Sequence, residues 1–190
     1  MVNYKFWQSI NFFSSQIPLY LMLMVWFASS LKRTIVIEGI VFIQLIIGII
    51  AYVELLHKIK KPISSEKLEK VTLKRANFDI VAAVYPILVP LISAVACRED
   101  YVRGLLATLF IQILIYFLSL NGSDALYNYP LIIFGHIEIF EGDMKGMHYY
   151  CYVPLRKQIP NNVPINYKCC VISRGWLVAD HDENGIKLEK

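Results

Sequence analysis

Long apolar stretches alternate with short polar ones over residues 1–120. They predict four membrane-spanning α-helices at residues 10–31, 34–56, 78–97 and 101–120. About 20 helical residues, at about 1.5 Å each, cross a hydrocarbon core of about 30 Å, so each stretch can span once. The links within each pair are very short, which predicts two tight helical hairpins. The expected fold class is a membrane protein with an α-helical bundle of four transmembrane helices.

The first of these helices has a polar entry half. Asn11, Ser14, Ser15 and Gln16 dilute its apolar character, and Pro18 follows them. An interfacial helix at the start of the chain is therefore an alternative to a span that begins at residue 10. The apolar run is longer than that of a secretory signal peptide, so we expect a retained span.

A basic connector, residues 57–77, joins the two hairpins. Its cations are Lys58, Lys60, Lys61, Lys67, Lys70, Lys74 and Arg75. Lys and Arg are retained on the cytoplasmic side of a membrane, and the short links within the hairpins carry few of them. The connector and both termini are therefore predicted to be cytoplasmic.

The connector also carries signals for local structure. Pro62 ends any helix that leaves the second span, and the serines after it offer an N-cap. Val71 and Leu73 belong to an apolar stripe beside the cations. These features predict a short interfacial helix over residues 64–75. The alternative is a solvated loop that only sets the topology.

From residue 121 to residue 190 the pattern becomes typical of strands. β-Branched and aromatic residues concentrate at residues 131–140, 147–155 and 168–179. Residues 141–146 predict a hairpin connection, and Asn184-Gly185 predicts a final hairpin. We expect a small cytosolic β-rich C-terminal domain. Because a domain of this size is marginal alone, it should pack on the membrane unit or on a partner.

Composition supports the membrane assignment. Hydrophobic residues make up 56% of the chain and charged ones 18%, with a mean hydropathy of +0.48. Soluble domains have about 45–50% apolar and about 25% charged residues. The net charge is +4, and a basic connector beside a membrane meets anionic lipid headgroups before nucleic acid. Cys97, Cys151, Cys169 and Cys170 are too irregular for a disulfide framework, and we expect free thiols in a reducing cytosol.

Small and polar side chains recur on one face of three predicted helices. They are Gln44 and Gly48 in the second, Asp79, Pro86, Pro90 and Ser93 in the third, and Gly104, Thr108 and Gln112 in the fourth. Such faces let helices approach closely and hydrogen-bond across the contact. The prolines also free backbone carbonyls, which a bilayer tolerates where neighbours or water satisfy them. Two interpretations stay open: helix packing, within one chain or between copies, and the lining of a water-filled path.

The sequence lacks the usual motifs of catalysis and ligand binding. No acidic residue lies in the middle of a predicted span, which argues against a proton-relay transporter. Asp180, Asp182, Asn184 and Gly185 match the start of an EF-hand loop, but the Glu that closes such a loop is missing, so a hairpin is preferred. The His and Cys residues have no zinc-site spacing, and no nucleotide-binding or nucleophile motif occurs. We expect no enzyme, metal, cofactor or small-molecule substrate.

Taken together, the opening Met-Val-Asn-Tyr-Lys-Phe-Trp, the four short spans, the Lys-Ile-Lys-Lys-Pro connector and the β-rich tail resemble the membrane subunit of the Kiwa anti-phage defence system. The resemblance covers essentially the whole chain. It implies a multi-pass inner-membrane protein that senses phage attack at the envelope.

The resemblance further implies a homo-oligomer, a tetramer, that contacts membrane lipids and works with a cytosolic DNA-binding partner subunit. The chain itself is then not expected to bind nucleic acid, and no active-site residue is transferred. Two other functions remain open on the residues: an oligomeric channel or pore-forming effector, and an accessory subunit of a transporter.

Overall fold

The computed structural model describes residues 4–28, 35–60, 69–75, 80–96, 100–121, 128–144, 146–154, 165–173 and 176–179. The helices are α1 Tyr4–Ser15, α2 Ile17–Ala28, α3 Ile35–Lys60, α4 Ile80–Ala96, α5 Tyr101–Asn121 and α6 Tyr129–Ile133. The strands are β1 Glu69–Arg75, β2 Ile137–Met144, β3 Met147–Pro154, β4 Ile165–Ser173 and β5 Trp176–Ala179.

The first predicted span is two helices in the structure. α1 and α2 meet at Gln16 with a bend of 40°. Pro18 has no N–H, so it cannot donate a hydrogen bond to the carbonyl one turn earlier. Within α1, the hydroxyls of Ser14 and Ser15 donate to the backbone carbonyls three residues earlier, at 3.1 and 2.7 Å. The polar run that diluted the predicted span therefore marks a break in the helix.

Among the described residues, α3 is the helix that is long and apolar enough to cross a membrane by itself. The bent pair of α1 and α2 passes the same criterion when it is counted as one span. The apolar parts of the other two long helices are shorter, Tyr85–Ala96 in α4 and Val102–Leu118 in α5. Bent α1–α2 packs along α3, and α4 packs on α5, so the two predicted helix pairs are present.

The predicted connector helix over residues 64–75 is wrong where the structure describes it, because residues 69–75 form strand β1. Val71 and Leu73 are buried while Thr72 and Lys74 are exposed, which is the alternation of a strand. The strand pairs antiparallel with both β2 and β4. These long-range pairings outweigh the local signals for a helix.

The five strands form a closed barrel in the order β1-β2-β3-β5-β4, with β1 and β4 paired. All pairs are antiparallel except β3 with β5. This arrangement is the strand order of an OB-fold barrel, a fold that hosts many functions. Helices α4, α5 and α6 are inserted between its first two strands. The sheet therefore takes one strand from the connector and four from residues 121–190.

The structure corrects the strand boundaries predicted for residues 121–190. The first predicted strand begins as helix α6 and becomes β2 only at Ile137. The stretch 168–179 is divided between β4 and β5. The β2–β3 connection is shorter than predicted, since β2 extends to Met144 and Gly146 turns the chain at a φ of 76°. The predicted hairpin at Asn184-Gly185 lies outside the described residues.

Three hydrophobic clusters hold these elements together. One lies inside the barrel and contains Leu73, Phe140 and Leu177. A second lies between helices α2, α3, α4 and α5. The third joins the outer face of the barrel to α1, α3 and α6, and it buries Leu55 and Tyr152 completely. All four residues of β5 are buried, as expected for a strand covered on both faces.

Candidate functional site at the helix–barrel junction

A buried polar network lies where the helices meet the barrel. It consists of Asn11 and Ser14 on α1, Asn128 before α6, and Tyr152 on β3; we call it the junction network. The hydroxyl of Tyr152 donates to Asn11 Oδ1 at 2.7 Å. Asn128 Nδ2 donates to the same oxygen at 3.1 Å and also contacts Ser14 Oγ. Each of the four side chains is buried.

Asn128 has a second role as the N-cap of α6. Its Oδ1 accepts a hydrogen bond from the backbone N–H of Leu131 at 3.3 Å, so both ends of its amide are used. A buried amide that loses its partners keeps the full cost of desolvation, about 1–3 kcal/mol. The network therefore favours one relative placement of α1, α6 and β3.

Tyr152 links the network to the outer face of the barrel. Its ring stacks on Trp176 of β5, with ring centroids 4.2 Å apart and an angle of 11° between planes. Burial raises the pKa of Tyr152 well above its usual range, and the hydrogen bond that its hydroxyl donates to Asn11 offsets this only in part. The phenol is therefore neutral and acts as a hydrogen-bond donor at physiological pH.

Apolar contacts surround the network. Leu55 and Ile59, near the end of α3, share a cluster with Ile139 of β2 and Trp176 of β5. Lys58 Nζ lies 5.8 Å from the centre of the Trp7 ring, a cation–π contact between α3 and α1. The end of α3 thus packs against the outer face of the barrel, and the helices and the barrel share one hydrophobic cluster.

Several of the predicted helix-face residues lie at contacts within and between the helices. The hydroxyl of Thr108 is shared between the carbonyl oxygens of Pro90, at 3.2 Å, and Gly104, at 2.9 Å, which ties α5 to α4. Pro86 is buried, and Ser93 Oγ donates to Val89 O within α4.

Gly48 permits a second close helix contact. A Cβ at this position would lie 3.1 Å from Ile17 Cγ1 and 3.2 Å from the carbonyl oxygen of Phe13. The glycine of α3 therefore lies against the break between α1 and α2. Asp79, which was grouped with these residues on sequence, lies outside the described residues.

Gln44 and Gln112 are brought together by the fold. They line a cavity of about 140 Å³ between the helices, together with Tyr20 and Tyr116. The side chains of Tyr20 and Gln112 are hydrogen-bonded, and within the part of the chain that the structure describes Gln112 Nε2 has no partner. Among the described residues, this cavity is the feature that most resembles the water-filled path considered from the sequence.

The predicted basic connector divides between two elements. Lys58 and Lys60 belong to the last turn of α3. Lys70, Lys74 and Arg75 belong to β1, where Lys74 lies directly opposite Glu141 of β2. Lys61 and Lys67 lie outside the described residues.

Two cysteines face each other inside the barrel. The sulfur atoms of Cys151 and Cys169 are 3.7 Å apart, and both thiols are free, as predicted. Burial raises the pKa of Cys151 well above its ordinary value, and the neighbouring thiol adds to this shift. Within the described ranges, no three His, Cys, Asp or Glu side chains are grouped as a metal site requires.

Sequence reasoning missed the junction network. Asn11 and Ser14 were noticed, but as polar residues that weaken a span rather than as buried hydrogen-bonding groups. The hydrogen bonds that link Asn128 and Tyr152 to α1 carried no signal in the sequence, because α1 lies more than 110 residues away in the chain. A buried asparagine followed by Tyr-Pro was the one local hint, since it is an N-cap pattern.

Comparison with known proteins gives one result. The family model described as "Anti-phage protein KwaA" matches residues 8–190, which is nearly the whole chain. Neither a curated protein nor a solved structure matches the chain. The match confirms the resemblance to the Kiwa defence system, in which this family has an anti-phage role. The chain with the helix–barrel junction described above belongs to the KwaA family of anti-phage proteins.

Proposed function

We propose that this protein is a non-catalytic membrane sensor and scaffold of anti-phage defence. Its helices lie in the bacterial cytoplasmic membrane, its barrel lies on the cytosolic side, and several copies assemble into a homo-oligomer. The barrel recruits a cytosolic DNA-binding effector subunit. The observation that carries the proposal is the junction network, which connects helix α1 directly to the barrel.

The distribution of polar side chains supports the membrane placement. Asn11, Gln16, Thr108 and Gln112 are buried among the helices, whereas large apolar side chains are exposed. On α3 the exposed apolar residues are Ile35, Val36, Ile40, Phe42, Ile43, Ile46, Ile47, Ile49, Ile50 and Val53. A soluble protein rarely exposes an apolar surface of this extent. In this proposal all four predicted helices contribute spans, and the positive charge of the basic connector supports a cytosolic location for the barrel.

The shared core supports a role in transmission. A displacement of α1 or α3 in the membrane changes the environment of Asn11 and Leu55, and both contact the barrel cluster or its network. Since packed interfaces switch between discrete arrangements rather than deform continuously, a small shift in the helices can alter the barrel surface.

The barrel offers an exposed end for the effector. The β2–β3 turn exposes Asp143, Met147 and His148 at the end of the strands away from the junction. Met147 is 64% exposed although it is apolar. We place the effector contact on this turn.

The proposal is tested with Asn128→Leu, which breaks the junction network, and with Thr72→Val as a matched control on the exposed face of β1. The measurements are membrane fractionation, co-purification of the DNA-binding subunit of the same defence system, and protection of cells against phage. Asn128→Leu should stay in the membrane and retain the effector but lose protection, and Thr72→Val should behave like the unmodified protein.

Full protection by Asn128→Leu would contradict transmission through the network. Failure of the unmodified protein to co-purify with the effector would contradict the scaffold role. If Asn128→Leu is not found in the membrane, the milder Tyr152→Phe variant takes its place. Met147→Glu should separate the functions in the opposite way, with effector binding lost and membrane insertion retained.

An oligomeric channel is the second candidate function, because two glutamines line a cavity between the helices. Gln112 is buried, and among the described residues its amide nitrogen has no hydrogen-bond partner. A conducting path would need this cavity to extend across the bilayer in the oligomer. Ion flux through reconstituted protein, abolished in Gln112→Leu, would support a channel; absence of flux in the unmodified protein would remove it.

A further inference from the structure

The last residue of α6 and the first residue of the turn after it expose two adjacent apolar side chains. Ile133 is 60% exposed and Phe134 is 72% exposed. They precede Gly135 and His136, after which the chain enters β2. We call residues 133–136 the α6 corner. Adjacent exposed apolar side chains are typical of a surface that contacts a protein or a membrane.

The α6 corner is held in one conformation. The N–H groups of Phe134 and Gly135 both donate to the carbonyl oxygen of Pro130, at 3.0 and 3.3 Å. A Cβ at Gly135 would lie 2.5 Å from the carbonyl oxygen of Leu131, so only glycine fits there. His136 has a φ of 53°, which a non-glycine residue seldom adopts. The exposure of the two side chains is thus built into the backbone and is not a frayed end.

The level of the corner follows from its contacts with α3. Leu131 lies in the same core cluster as Ala51, Leu55 and Ile59 of α3. On the outer side of α3, the exposed apolar residues end at Val53, and exposed Glu54 follows. α6 therefore packs beside the part of α3 where an apolar surface changes to a charged one, which is the level of the lipid headgroups.

We propose that Ile133 and Phe134 insert into the interfacial region of the bilayer on the barrel side. The inference rests on the proposed membrane placement and names the lipid surface as the partner of the corner. A lipid surface fits better than a protein: an aromatic side chain buries about 150–250 Å², whereas a specific protein interface buries about 800 Å² per partner. α6 also packs beside α3, whose exposed apolar side faces lipid in the proposed membrane placement.

The corner is connected to the junction network by one residue. Asn128 caps α6 and also donates to Asn11 of α1. A change in lipid packing around Phe134 therefore acts on Asn128, which donates to the same Asn11 oxygen that Tyr152 of the barrel binds. The corner is a lipid-contacting input to the junction.

The test uses the full-length protein in native membranes, with the photo-crosslinking residue p-benzoylphenylalanine replacing Phe134 in one sample and Met147 in the other. Both side chains are exposed, but Met147 lies at the far end of the barrel. After illumination, intact-mass spectrometry distinguishes phospholipid adducts from crosslinks to a second copy or to another protein. The crosslinker at position 134 should give phospholipid adducts several-fold above position 147.

Crosslinks from position 134 mainly to protein, or a phospholipid yield equal to that of position 147, would overturn the inference. Membrane fractionation of the unmodified protein keeps the two proposals distinguishable. Absence from the membrane contradicts the proposed function itself, whereas presence there without lipid adducts at position 134 contradicts only the corner. Phe134→Glu provides an independent variant, with fewer phospholipid adducts expected from a crosslinker at position 133 and an unchanged yield expected from position 147.

Discussion

The hydroxyl of Tyr152 on β3 donates a 2.7 Å hydrogen bond to Asn11 Oδ1 on α1, across 141 residues of the chain. Both side chains are buried, and each has a further fixed neighbour: Trp176 stacks on the tyrosine ring and Asn128 donates to the asparagine. This hydrogen bond joins α1 to strand β3 of the barrel. Loss of this hydrogen bond should therefore lower the stability of the protein and reduce its protection of cells against phage.

Tyr152→Phe removes this hydrogen bond and keeps the ring stack. Because Asn11 Oδ1 retains the bond from Asn128, the loss should be that of one net hydrogen bond, about 0.5–1.5 kcal/mol of unfolding free energy. Thermal unfolding in a mild detergent measures it. The control is Tyr149→Phe on the same strand, whose hydroxyl makes an exposed contact with Met147 sulfur at 3.7 Å. Equal stability of the two variants would show that the junction bond adds nothing.

Gly142→Ala should detach β1 from β2. Leu73 lies opposite Gly142, and a Cβ on the glycine would stand 2.6 Å from the Thr72 carbonyl oxygen. Overpacking of this kind costs about 1–3 kcal/mol, so hydrogen exchange of the β1 amides should accelerate. Gly39→Ala is the matched control, because nothing lies within 4 Å of its Cβ and the helix should gain up to about 1 kcal/mol. Unchanged exchange in Gly142→Ala would contradict the pairing of the connector strand.

Alkaline pH should destabilise the barrel through Cys151. Its pKa is raised in the folded protein from an ordinary value of 9.0, so the unfolded state loses its proton first as pH rises. The stabilisation is complete below pH 9 and is lost above it, with a slope of up to about 1.4 kcal/mol per pH unit. Chemical unfolding between pH 9 and pH 10 measures this slope. Cys151→Ala should flatten it, whatever the variant's stability at neutral pH, and equal slopes would contradict the assignment to Cys151.

Thr108→Val tests whether the helix faces serve packing or conduction. The substitution keeps the shape of the side chain and removes its hydrogen bond to the Pro90 carbonyl oxygen of α4. Such bonds between membrane helices contribute about 0.6 kcal/mol on average, so a small loss of stability is expected, with phage protection retained. Thr72→Val on the exposed face of β1 is the control. A changed ion flux without a change in stability would favour a path instead.

The sequence predicted α3, α4 and α5 well because each is a long, mainly apolar run, and the packed pairs follow from their short links, whereas the break between α1 and α2 at Gln16 was not predicted. It failed at β1. Val71, Thr72, Leu73 and Lys74 alternate with a period of two, but a preceding N-cap signal favoured a helix, and the partner strands begin more than 60 residues later. Register between such distant segments is not readable from either one alone.

The candidate site was predicted less well than the fold. Gln44 and Gln112 were grouped as polar helix faces and do share a cavity. The junction network instead depends on Asn128 and Tyr152, which have no periodic pattern around them. A single buried polar residue becomes recognisable only when its partner is known. The sequence thus contained the residues of the junction but not their pairing.

The insertion of α4, α5 and α6 between the first two strands has a consequence for biosynthesis. β1 leaves the ribosome before α4 and α5, but both of its partner strands, β2 and β4, follow them. The barrel cannot close until the second helical pair has been synthesised. Once closed, it is attached to the helices by three separate chain crossings: α3 to β1, β1 to α4, and α5 through α6 to β2. Closure of the barrel therefore requires that both helical pairs have already been synthesised.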